Sequence, residues 1–135
     1  MNYRDIISII YGIPFVWIGI AHFTDPTWFE PIVPEILGNA YFWVILSGVF
    51  EILIGAGIMI PRFRKVSAFA MVLMLITLYL ANLNMWINDV PLNGRVYETH
   101  WHVLRGLGQV ALVLISLWLG GWQTSQRLIE SIRSP

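Results

Sequence analysis

Long apolar stretches alternate with short polar connections along the chain, and four of them, residues 6–23, 40–60, 66–88 and 100–122, have the length of membrane-spanning helices. At 1.5 Å per residue each covers most or all of a hydrocarbon layer about 30 Å thick. The expected fold is all-α: an integral membrane four-helix bundle in a single membrane domain, residues 1–135. The first apolar run continues past signal-peptide length without a small-residue cleavage site, so it reads as the first span. Pro14 lies inside it and frees the Ile10 carbonyl, which predicts a kink.

The connections are distinct. Residues 24–39 carry Pro26, Pro31 and Pro34, the acids Asp25, Glu30 and Glu35, and no Lys or Arg. Trp28, Phe29, Ile32, Val33, Ile36 and Leu37 are too apolar for a free loop, so one or two short interfacial helices are expected there, covering one end of the bundle. Arg62-Phe63-Arg64-Lys65 makes a tight basic turn, and residues 89–99 form a polar connection with a turn signal at Asn93-Gly94. The tail, 123–135, with Arg127, Glu130 and Arg133, reads as a short amphipathic helix.

Composition sharpens this picture in three ways. A chain that is 57% apolar and only 12% charged belongs in a lipid bilayer, and its zero net charge gives no basis for binding nucleic acid. The absence of cysteine excludes disulfides, thiolate metal sites and a dithiol relay. Four spans put Arg4, Arg62, Arg64, Lys65, Arg127 and Arg133 on one side and only Arg95 on the other. The positive-inside rule then places both termini in the cytoplasm, as in a multi-pass protein of the plasma (cytoplasmic) membrane. Trp28, Trp43, Trp86 and Trp101 mark the outer interface, and Trp118 and Trp122 the inner one.

The polar residues within the spans carry the chemistry. Glu51 lies about 16 Å from the start of the second span, where a charge costs about 2.5 to 3.5 kcal/mol on insertion scales. Ser47, Gly48 and Gly55 share its helix face, so the acid points into the bundle against a closely approaching helix. Gly12, Phe15, Gly19 and His22 share a face of the first span, and His102, Arg105 and Gln109 form an i, i+3, i+7 stripe on the fourth. With Asn82 late in the third span, all these polar groups fall in the outer half. The economical arrangement is a Glu51–Arg105 ion pair with Asn82 and Gln109 completing its hydrogen bonds. Such a cluster either fixes helix register or forms a polar pocket, in which Glu51, Arg105, His22, His102, Asn82 and Gln109 bind a ligand or relay protons. Residues two apart on a helix point to different faces, so His100-Trp101-His102 is not expected to hold a metal. Asn84 and Asn88 read as a wet helix end.

His22-Phe23 closing the first span, the proline-rich loop, Ser47-Gly48-Val49-Phe50-Glu51 followed by Gly55, Ala81-Asn82 ahead of Met85, and Arg105 four residues before Gln109 together resemble the DoxX-like family of small four-helix membrane proteins. The resemblance covers nearly the whole chain. It implies an accessory subunit linked to redox or quinone chemistry, with a quinone head group as the ligand class. Arg105 and the histidines would donate to its carbonyl oxygens, and Glu51 would accept or shuttle a proton. The chain has no flavin or nicotinamide fingerprint and no convincing haem ligand pair, so electrons would come from a redox partner protein. No catalytic residue can be named from the sequence. Two other readings stand beside this one: a small-solute or proton transporter working as a homo-oligomer, and a non-catalytic scaffold or assembly factor that binds partners through helix faces.

Overall fold

The computed structural model describes residues 1–122 together with 132 and 133. Four helices dominate it: α1 (Tyr3–Thr24), α2 (Ala40–Met59), α3 (Arg64–Ile87) and α4 (Thr99–Leu119). Each is long and apolar enough to cross a membrane. A capping box starts α1, in which Asn2 Oδ1 accepts the Asp5 N–H and the Asp5 carboxylate accepts the Asn2 N–H. The helix then runs unbroken through Pro14. α4 stops at Leu119, short of the expected 122, because Gly121 takes a left-handed φ of 83° that ends the helical path. The amphipathic tail helix expected over 123–135 falls, but for 132 and 133, outside the described residues.

Two glycine pairs fix how α1 and α2 meet. A Cβ on Gly12 would lie 2.5 Å from the Gly55 carbonyl oxygen, and one on Gly48 would lie 2.9 Å from that of Gly19. Both helices repeat glycine at a spacing of seven, and the antiparallel seam brings backbone against backbone at both points. α2 turns sharply into α3, where Gly57 lies against Ser67, and α3 in turn packs along α4.

The bundle has two unlike ends. The base end holds the start of α1, the α2–α3 turn and the end of α4. Here Tyr11, Phe15, Ile58, Ala68, Met71, Met74, Leu75 and Leu119 form the apolar core, with all four helices contributing. Arg64, in the basic turn, is buried. It pairs with Asp5 at 2.8 Å and donates through Nε to the Ile58 carbonyl. Arg4 Nη2 donates to the Trp118 and Leu119 carbonyls at the negative end of α4. Tyr11 Oη donates to the Leu112 carbonyl and lies 2.7 Å from Ser116 Oγ.

The cap end holds the two longer connections. Residues 25–39 fold as three single 3-10 turns, Pro26–Trp28, Glu30–Ile32 and Glu35–Leu37. Pro26, Pro31 and Pro34 recur every three to five residues, so each turn meets another proline before a longer helix can form. Asn84 donates to the Ile32 carbonyl and Trp43 Nε1 to that of Leu37, which tie this segment onto α3 and α2. Asn93 and Gly94, with φ of 52° and 73°, reverse the chain between Leu92 and Arg95, as the Asn-Gly signal predicts.

Candidate functional site

Glu51 sits on the glycine seam. It shares its face of α2 with Gly48 and Gly55, and Gly19 of α1 approaches its Cβ closely, so the acid is buried at 4% exposure. Two turns after Phe15 on the buried face of α1 comes His22, also buried, one turn above Gly19. The seam thus sets an imidazole beside a carboxylate, with His22 Nδ1 4.0 Å from Glu51 Oε2.

Ser47 fixes the protonation pattern of this pair. Its hydroxyl donates to the Val44 carbonyl at 2.9 Å and lies 3.1 Å from His22 Nδ1. A hydroxyl has one hydrogen, and a carbonyl can only accept. The arrangement that satisfies both contacts has His22 Nδ1–H donating to Ser47 Oγ. Nε2 then carries the free lone pair of a neutral imidazole. Phe29, between the first two 3-10 turns, sets its ring edge-on against His22 with centroids 4.0 Å apart, and Trp28 backs Phe29 in turn. An aromatic cover therefore closes the site at the cap end. Glu51 Oε2 is buried with no hydrogen-bond partner among the described residues. An orphaned carboxylate oxygen inside a bundle is costly, and it is the strongest chemical signal in the molecule.

The other predicted residues do not converge on Glu51. The expected Glu51–Arg105 ion pair does not form: Arg105 donates to Met85 Sδ at 3.5 Å and lies over the Tyr97 ring, 4.7 Å from its centroid. Gln109 donates to the Leu75 carbonyl instead of to the cluster. Asn82 is half-buried and makes no side-chain hydrogen bond to a described residue. His102 lies flat against Trp86, with Nε2 3.2 Å from the Tyr97 carbonyl. The reason is helix pairing: α1 occupies the face of α2 that bears Glu51, while α4 lays its polar stripe on α3. The predicted single cluster is two, an acid site between α1 and α2 and a cationic one between α3 and α4.

Sequence reasoning passed over the hydrogen-bonding role of Ser47, which the i, i+4 spacing to Glu51 could have suggested, and that of Asn84, which its contact with the proline-rich segment makes structural. Among the described residues, no three His, Asp or Glu side chains come together in a way that could hold a metal ion.

A family model covers residues 12–120, which includes both clusters and all but the first turns of α1. The chain belongs to the family described as domain of unknown function DUF8561. No curated protein and no solved structure matches the chain. The family description assigns no activity, so function is argued from the site.

Proposed function

We propose that the chain is a DoxX-like accessory subunit of a redox system in the plasma membrane, and that its His22–Ser47–Glu51 site exchanges protons with a quinone head group. The observation that carries this is the orphaned Glu51 Oε2, 4.0 Å from His22 Nδ1 within an apolar bundle. Arg4, Arg62, Arg64 and Lys65 at the base end, against Arg95 in the cap connections, support cytoplasmic termini. The cap end is then the outer side, with residues 25–39 lying in its interface.

The donor set fits such a ligand. A quinol hydroxyl supplies the hydrogen that Glu51 Oε2 lacks, and Phe29 with Trp28 supplies an aromatic wall. When bound, the head group contributes the two-electron, two-proton chemistry, its electrons exchanged with a partner subunit. Glu51 accepts or returns a proton at Oε2. The imidazole, whose Nδ1–H faces Ser47, takes a proton at Nε2 and releases one from Nδ1 toward Glu51 Oε2, 4.0 Å away. Ser47 holds the ring in that orientation. The glycine seam keeps water out of the lower bundle, so the proton leaves through the cap end.

The test pairs binding with turnover. Soluble quinone analogues should stabilise the purified protein, by about 2.7 kcal/mol at 100 times the dissociation constant, and Glu51→Gln should abolish the shift. The same variant should slow quinone-linked electron transfer in membranes by about 100-fold or more, the usual worth of a positioned acid or base. If no quinone analogue stabilises the wild type and Glu51→Gln leaves membrane redox activity intact, the proposal fails. Glu51-dependent proton flux in proteoliposomes without quinone would replace it with the transport reading.

A further inference from the structure

The cationic cluster between α3 and α4 has its own unmet chemistry. Arg105 stands six residues into α4, about 9 Å along the helix from Thr99. Its guanidinium carries five N–H donors, yet its contacts are a thioether sulfur, a weak acceptor, and the face of an aromatic ring. No carboxylate lies within ion-pairing distance of it among the described residues. Glu98, the nearest acid in sequence, faces His100 at 3.2 Å. An arginine in a membrane span without a counter-ion calls for one.

Two further observations describe the groups around Arg105. Tyr97 joins two groups, since its ring underlies Arg105 while its carbonyl sits 3.2 Å from His102 Nε2. With Nε2–H donating to that carbonyl, His102 Nδ1 is left buried with no partner among the described residues, on a side chain only 4% exposed. Leu104 and Leu107 beside Arg105 are exposed, so the half-buried Arg105 is open toward lipid. An open depression lined by Arg95, Val96, Tyr97, Glu98, His100 and Trp101 adjoins the cluster through Tyr97.

We propose that Arg105, with His102 and Tyr97, forms an oxyanion-binding site that takes a phosphate group, separate from the Glu51 site. The guanidinium fork grips two oxygens, and His102 Nδ1 accepts from a protonated oxygen of the same group. The phosphate comes either from an anionic lipid head group or from solution. Titration calorimetry on the purified full chain in neutral detergent distinguishes them, using dihexanoyl-phosphatidylglycerol and inorganic phosphate as probes and sodium chloride at matched ionic strength as the control.

The wild type is expected to bind one probe saturably. Saturation by the lipid alone assigns a lipid site, and saturation by inorganic phosphate assigns a soluble one; either supports the proposal. Arg105→Lys keeps the charge but loses the fork, and should weaken binding at least tenfold, while Arg62→Gln at the base end should leave it unchanged. Should Arg105→Lys not fold, His102→Gln takes its place with a severalfold loss expected. The proposal is overturned if neither probe saturates beyond the chloride control, or if the variant that folds binds as tightly as the wild type.

Discussion

The base and cap ends of the bundle are built from the same four helices and solve opposite problems. At the base, side chains from all four helices meet in one apolar core, and buried polar groups reach across to other helices: Arg64 to Asp5, Arg4 to the carbonyls ending α4, Tyr11 to Ser116. Among the described residues the leftover there is Arg4 Nε, on a guanidinium already bound to two carbonyls through Nη2. At the cap end the helices pair as α1 with α2 and α3 with α4, and the leftovers are a carboxylate oxygen of Glu51 and a ring nitrogen of His102. The same kind of side chain thus closes one end and leaves the other chemically unfinished. The apolar core lies at the base, and two of the three buried polar atoms without a partner among the described residues lie toward the cap.

The sharpest way to break this division is through the seam that serves both ends. Gly48→Leu forces a side chain into His22 Cβ and the Gly19 backbone, and should cost about 3 kcal/mol in detergent unfolding, at the upper end for overpacking. Tyr11→Phe strands Ser116 at the base and should cost about 1 kcal/mol by the same measurement. Glu51→Met should move the other way. Removing a buried carboxylate whose Oε2 has no partner is expected to raise stability by about 1 kcal/mol while abolishing quinone-analogue binding, whereas a loss of stability would make Glu51 a structural residue. Gly108→Ala, where an added Cβ meets nothing within 4 Å, should change stability by less than about 0.5 kcal/mol and serves as the control for glycine replacement itself.

What could be read in advance followed periodicity. The four spans, the buried face of α1 bearing Gly12, Phe15, Gly19 and His22, and the small-residue face around Glu51 all come from spacing on a single helix, which 3.6 residues per turn determines. The partnership of Glu51 did not. Spacing tells which way a residue faces on its own helix, not which helix stands opposite, and the Gly12–Gly55 and Gly19–Gly48 contacts give that place to α1. Arg105 and Gln109 were therefore assigned to the wrong neighbour. The basic turn shows the same limit: the sequence marks Arg62-Phe63-Arg64-Lys65 as one turn, and only the return of Asp5 to the same end turns Arg64 inward.

The reach of Arg4 to the Trp118 and Leu119 carbonyls also bears on how the protein is made. The α1–α2 hairpin has its glycine contacts within the first 55 residues and can pair while the ribosome is still adding the rest. The acceptors for Arg4 and Tyr11 belong to the last span, more than 100 positions later. Closure of the base by these two residues of α1 therefore has to await synthesis of the last span.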